Sequence, residues 1–328
     1  MKKFSAPLLA SILLFASCAK QDNIQAIPEL AANEPVSERL CASQEVLEKQ
    51  IAENPARAKK LEDLEIFTQN YKGRQARGAG TLYVPVVVHV VLTNPSIVSD
   101  AQIQSQLDVL NKDFNKANIE LGNSNVYLAG YNYANVANCD IRFVLSQTVR
   151  KASSTATFGT NDAVKKTSQG GSDAVNPESK LNLWVCDLSS GLLGYAQFPG
   201  GSIQTDGVVI DYQAFGTTAS YAMYSQFNLG RTATHEIGHW FNLRHIWGDR
   251  RCGNDLVDDT PLHDASNGGC PAQTHRSKCS GKPLEQWMNY MDYTDDRCMY
   301  MFTSGQKNRM DAAIDGSRAN YVSTTSPN

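Results

Sequence analysis

The sequence predicts an α+β fold: a mixed, twisted sheet backed by helices, then an irregular cross-linked region and a closing helix. Three observations carry this. Short β-branched runs alternate with amphipathic helical patterns through residues 82–241. Residues 246–300 are rich in Asp, Gly, Pro and Cys and lack periodicity, so cross-links or ions must order them. Helical spacing returns over residues 302–314. With 328 residues, 41% of them hydrophobic and 19% charged, the chain can hold a sizeable core and a leading segment. A net charge of −3 gives no support to a nucleic-acid partner. No apolar run reaches the ~18–20 residues that span a bilayer.

The first elements read as export and regulation. Lys2 and Lys3, an apolar run over residues 4–16 and small residues before Cys18 form a signal peptide, residues 1–17. Phe15-Ala16-Ser17-Cys18 resembles a bacterial lipobox with Phe in place of the usual Leu. That makes Cys18 a lipidation candidate, with ordinary signal cleavage as the alternative. Residues 18–77 are expected to be a tether and helical pro-segment. Residues 19–36 are polar, and residues 37–71 have helical spacing broken by Asn54-Pro55. The stretch KGRQARGAG (residues 72–80) is basic, glycine-rich and cleavable. Cys41 has two readings: a small buried hydrophobe, or a thiolate that occupies a metal until the segment is cut away.

Residues 78–328 form the main domain. Residues 82–92, LYVPVVVHVVL, read as a strand buried on both faces, with His89 a satisfied core histidine rather than a ligand. Residues 99–118 read as a helix with Ser99 and Gln102 as a capping box and Ile103, Leu107, Leu110 and Phe114 as its apolar stripe. Strands follow at residues 141–149, 181–187, 194–199 and 207–211. Pro199 assigns the third of these to a sheet edge. Cys139 and Cys186 either pair or remain two buried thiols. A second helix covers residues 229–241, and the last starts near Phe302 with a Thr303–Gln306 capping box.

The chemistry centres on residues 235–245, HEIGHWFNLRH. His235 and His239 share one helical face, and Glu236 stands where a carboxylate can deprotonate water at the ion they would hold. His245 reaches the same ion only if the chain turns sharply after the helix. With six histidines in the chain, a chance match to HExxHxxxxxH is rare. Three neutral nitrogen ligands leave the fourth position of Zn²⁺ open, which is the catalytic arrangement. The implied reaction is metal-assisted amide hydrolysis with Glu236 as general base.

This motif resembles that of the metzincins. Their usual Gly, seven residues after the first His, is Asn242 here, the next-best residue at positive φ. Met291 in NYMDY matches the methionine of their tight turn below the metal. Tyr293 matches a tyrosine that several metzincin families place beside it, and the resemblance implies transition-state stabilisation.

More narrowly, residues 37–315 resemble the pappalysin family. The match rests on DAVNPESKLNLWVCDL, LGYAQFPGG, DGVVIDY, HEIGHWFNLRHIWGD, DDTP and NYMDYTDDRCMYMFTSGQ. The resemblance implies a metzincin-type fold, with an upper subdomain to about residue 245. The lower subdomain, residues 246–328, would hold the Met-turn and C-terminal helix. Of the three pairings open to the late cysteines, it implies Cys252–Cys279 and Cys270–Cys298. It implies structural Ca²⁺ after the third His, with Asp255, Asp258, Asp259 and Thr260 as candidates against a solvated acidic loop. It also implies that Cys41 blocks the zinc, and that Asp296 lies at the base of the pocket for the residue after the scissile bond. A carboxylate there prefers Arg, and Arg74 and Arg77 offer sites for self-cleavage.

The expectation is a secreted, latent zinc endopeptidase acting on proteins or peptides. The precursor would be lipid-anchored at the bacterial envelope, its only membrane link, and oligomeric state is left open. Two rivals are a zinc peptidase with a distant Glu as third ligand and a non-catalytic zinc-containing surface lipoprotein acting as a binding module. His245 argues against the first and the intact Glu236 against the second.

Overall fold

A valine-rich strand, β1 (Leu82–Leu92), is the spine of the sheet, as its β-branched side chains dictate. The computed structural model describes residue 1 and residues 36–71, 73 and 80–326. The signal peptide, Cys18, Arg74 and Arg77 lie outside the described residues. On β1 pack β2 (Ile141–Ala152) and β3 (Leu181–Cys186), both parallel to it. Next come β5 (Val208–Asp211), parallel to β3, and β4 (Gly194–Ala196), antiparallel to β5 at the edge. Three parallel pairs and one antiparallel pair make the sheet mixed.

The two faces of the sheet carry separate cores. Val84, Val86, Val88 and Val90 pack with Leu183, Val185 and Ile210 against helices α3 (Asp100–Asp113) and α4 (Arg231–Trp240). On the opposite face Val91, Trp184, Tyr195 and Val209 form the second cluster. Cys139 belongs to the first and Cys186 to the second, and both are free, buried thiols rather than a pair.

His89 also faces the second layer, stacked on Trp184 with ring centroids 5.0 Å apart. Its ring nitrogens meet Ser172 Oγ at 2.9 Å and Asn182 Oδ1 at 2.8 Å, which satisfies the imidazole without a metal. Burial pushes its pKa down to about 4. Below the unfolded value of ~6.5 the unfolded chain therefore takes a proton that the folded chain refuses. Stability falls as pH drops from ~6.5 towards 4, and the change from pH 7 to 5 costs about 2 kcal/mol. Urea unfolding at both pH values should show this loss, and His89→Gln should remove it from the difference. An unchanged pH slope in the variant would show that His89 does not carry it.

Several boundaries differ from the sequence reading. Helix α3 stops at Asp113 rather than 118, because Lys116 turns to φ 52°. Its capping box is half formed: Ser99 Oγ accepts from the Gln102 N–H at 3.1 Å, but the Gln102 amide donates to Phe215 O at 2.7 Å. Helix α4 starts at Arg231 rather than 229 because Gly230 takes φ 77°. Strand β4 has three residues, so Pro199 lies past its end, while β2 runs on to Ala152.

Between α4 and α5 (Ser304–Asp315) the only helix among the described residues is one short turn, Asp296–Cys298. Disulfides Cys252–Cys279 and Cys270–Cys298, each with Cα atoms 5.7 Å apart, order this region. The Thr303–Gln306 capping box that opens α5 is complete.

Residues 36–71 supply helices α1 (Ser43–Glu53) and α2 (Ala56–Gln69), separated at Asn54-Pro55. They are docked on the domain. Ala42 and Val46 join the second core, Arg57 donates to Phe198 O at 2.9 Å, and Glu65 holds Arg309 with two contacts of 2.9 and 2.6 Å.

Candidate active site

Helix α4 brings His235 and His239 to one face, one turn apart. The helix then closes in a left-handed turn. Asn242 takes φ 72°, its N–H donates to His239 O at 2.9 Å, and the Leu243 N–H reaches back to Gly238 O at 2.9 Å. The Arg309 guanidinium donates to Asn242 O at 2.8 Å and holds the turn in place. Asn242 thus fills the role that glycine usually takes, and the turn carries His245 to the other two histidines.

All three imidazoles are buried and oriented. His235 Nδ1 faces Tyr290 O at 2.7 Å, His239 Nδ1 faces Leu243 O at 2.8 Å, and His245 Nδ1 faces Asp249 Oδ1. Each Nδ1 meets an acceptor, so each carries its hydrogen there and leaves Nε2 as a bare lone pair. The Nε2 atoms of His235 and His245 lie 3.2 and 3.1 Å from that of His239. Three lone pairs at such spacing repel one another unless a cation sits between them. Tetrahedral zinc with bonds of ~2.0–2.1 Å would space its ligand atoms by about 3.3 Å. The donor set fits that ion. Burial, then the charges of its neighbours, holds His235 well below the usual histidine range, and burial and His245 bring His239 down to about 3. Both are neutral, as a ligand must be.

Glu236 is also buried, and burial raises its carboxyl to about 7, within the range of a general base. Beneath the histidines lies Met291. A Cβ added to Gly238 would stand 2.5 Å from the Met291 sulfur, so a larger residue there would displace the Met291 side chain from this contact. Met291 O accepts from the Ile246 N–H at 3.1 Å, tying the turn to the segment that carries His245. Tyr293 stands beside the centre, its ring 4.9 Å from His245 and 5.7 Å from His235.

Residues 39–43 of the chain itself lie against the histidines and Glu236. Residues 40–42 run beside edge strand β4, with Leu193 N–H donating to Leu40 O at 2.9 Å and Ala42 N–H to Gly194 O at 3.1 Å. Cys41 Sγ and one nitrogen of each histidine lie within 4.8 Å of one another. Burial and the Glu236 charge push the thiol well above its usual range, so it ionises here only against a cation. The Cys41 carbonyl accepts from the Tyr293 hydroxyl at 3.1 Å. Ser43 Oγ donates to Glu236 Oε2 at 2.7 Å and accepts from the Ala196 N–H at 2.8 Å.

Arg39 is buried as well. Its guanidinium donates to Asp296 Oδ1 at 2.5 Å and Thr232 Oγ1 at 2.9 Å, and stacks 5.0 Å from the Phe227 ring centroid. Asp296 Oδ2 accepts from the N–H groups of Leu229 and Arg231 at 2.8 and 3.2 Å, at the N-terminus of α4. One oxygen of Asp296 is thereby fixed by the helix while the other pairs with Arg39.

Of the four calcium candidates, Asp255 and Thr260 touch, with Thr260 Oγ1 2.9 Å from both Asp255 oxygens, and Asp258, Asp259 and Thr260 line one depression. Burial raises the Asp255 carboxyl to about 6, a buried anion that a cation would suit. Asp259 is instead drawn to α5, accepting from Thr303 Oγ1 at 2.6 Å and the Gly305 N–H at 2.8 Å. Asp258 is exposed.

Sequence reasoning missed Arg39, Ser43, Thr232, Phe227 and Asp249. Only Arg39 left a signal: in an extended stretch Arg39 and Cys41, two residues apart, share one face.

A family model described as Pregnancy-associated plasma protein-A, peptidase M43, matches residues 165–315. An extracellular metalloprotease of Pyricularia oryzae is 34% identical over 258 residues, 75% of this chain and 80% of that protein. One from Verticillium alfalfae is 34% identical over 242 residues, covering 71% and 77%. Among solved structures, a promirolysin mutant of Tannerella forsythia is 37% identical with a TM-score of 0.76, over 86% of this chain and 97% of that one. Mature mirolysin in complex with a cleaved peptide is 41% identical with a TM-score of 0.68, over 74% and 97%.

Proposed function

We propose, from the premise that the chain belongs to the pregnancy-associated plasma protein-A (pappalysin) family and is a zinc metalloendopeptidase, that it is a zymogen cutting before arginine and silenced by residues 39–43. The observation that carries this reading is the simultaneous occupation of every working part of the cleft by one short segment. Cys41 covers the histidines, Ser43 the Glu236 carboxylate, and Arg39 the Asp296 pocket.

His235, His239 and His245 would hold the zinc, which when bound supplies Lewis acidity at the substrate carbonyl. Glu236 takes a proton from the attacking water and returns it to the departing amine. Tyr293, once released from the Cys41 carbonyl, donates to the developing oxyanion. Met291 supports the histidines from below. Asp296 selects the residue after the scissile bond by charge-assisted pairing with Arg.

The pro-segment runs the wrong way to be cut. Its pocket-filling residue, Arg39, precedes Cys41, whereas a substrate would place its arginine after the scissile bond. Cleavage before Arg74 or Arg77 would release the chain up to residue 73 or 76, and the likeness to promirolysin supports a zymogen. The domain division is correspondingly residues 1–17, 18–77 and 78–328, with calcium at Asp255 and Thr260. The relatives' extracellular naming supports export. Lipidation of Cys18 rests on the lipobox resemblance alone. The same relatives are metalloproteases, which leaves the binding-module alternative without support.

Substitution at Asp296 tests the specificity. For a peptide with Arg after the cleaved bond, Asp296→Asn should lower kcat/KM about 100-fold, a loss of ~2.7 kcal/mol. A matched peptide with Leu there should change less than threefold. The amide oxygen still accepts at the α4 N-terminus, so the helix start survives. Equal losses for both peptides would refute the pocket assignment.

A further inference from the structure

The three histidines are not held alike. His235 and His239 stand on α4, whose backbone fixes them, and each gives its Nδ1 hydrogen to a main-chain carbonyl. His245 stands outside any helix and strand, on a loop. Its Nδ1 hydrogen goes to a carboxylate, Asp249 Oδ1, and its ring is covered by Trp247, centroids 4.4 Å apart and planes within 8°. Trp247 also packs edge-on against Tyr293 at 4.6 Å.

The loop is shaped to deliver this carboxylate. The Gly248 N–H donates to His245 O at 2.8 Å, and Gly248 and Asp249 both take left-handed φ, 64° and 58°. A side chain on Gly248 would collide with the Asn254 backbone. Aspartate tolerates such a φ better than most residues, but the conformation still opposes folding. The Asp249 side chain is 19% exposed, so its charge acts at short range and partly out of water.

We propose that Asp249 is a positioning residue. It fixes His245 with Nε2 towards the metal and strengthens that nitrogen as a donor, so that the loop-borne third ligand binds as firmly as the two on the helix. This rests on the reading of His235, His239 and His245 as zinc ligands. A carboxylate behind a ligand histidine is worth about 10–100-fold in metal affinity.

The test measures zinc affinity in the full-length chain, kept uncut by Glu236→Gln, by competition with a chromophoric chelator. Asp249→Ala should raise the zinc Kd about 10–100-fold. Asp249→Asn keeps an oxygen to accept the hydrogen bond but loses the charge, and should weaken binding by a smaller factor. The visible spectrum of the cobalt-substituted chain should shift in both, a signature that loss of packing elsewhere would not produce. If Asp249→Ala fails to fold without metal, Asp249→Asn carries the test. Affinities within twofold of the parent, with unchanged cobalt spectra, would overturn the proposal. A parent chain that binds no zinc would instead overturn the ligand assignment itself.

Discussion

Glu236→Ala in the full-length protein is expected to bind zinc as the native chain does and to lose proteolysis by ~10⁴-fold. The zinc ligands are untouched, because Glu236 lies beside the histidine cluster rather than in it. What disappears is the group that accepts the water's proton and protonates the leaving amine. The same variant should stay uncut after residue 71 when incubated alone, and be cut before Arg74 or Arg77 when a trace of matured native enzyme is added. Zinc analysis, turnover of a denatured protein and N-terminal sequencing check the three parts. Maturation of the lone variant at the native rate would show that self-cleavage is wrong.

Cys41→Ala should have the next largest effect, in the opposite sense. Removing the sulfur leaves the fourth ligand position open, and the segment is then held in the cleft by Arg39, Ser43 and its backbone contacts with β4. Maturation should speed up at least tenfold, corresponding to ~1.4 kcal/mol or more of lost docking. Arg39→Ala should also speed it, because the buried Asp296 would lose a pairing in which both side chains are 1% exposed. The rate at which the intact chain disappears on a gel measures both. A Cys41→Ala chain as latent as the native one would mean that helices α1 and α2 do the silencing from outside the cleft.

What could be read in the sequence was local. The spacing of His235, His239 and His245 prescribes a helix and a turn, and Asn242 has the side chain such a turn tolerates. The β-branched run of β1 and the Thr303–Gln306 box likewise carry their own instructions. The missed features depend on partners far along the chain. Arg39 and Ser43 meet Asp296 and Glu236 across 257 and 193 residues. Nothing near Arg39 indicates the pocket it fills. Asp259 likewise has partners its neighbours do not announce: it reads as a calcium candidate beside Asp258 and Thr260, and in the fold it also accepts from the Thr303 hydroxyl and the Gly305 N–H at the start of α5. Asp249 sits four residues after His245 with no helix to imply a shared face, so only the observed loop geometry brings them together.

The most direct measurement of the central claim is the set of new N-termini produced when matured enzyme digests a denatured protein, read by mass spectrometry with and without a zinc chelator. The account predicts that the new termini begin with Arg, vanish with the chelator and return when zinc is restored. Cleavage that survives the chelator, or termini without arginine enrichment, would contradict it.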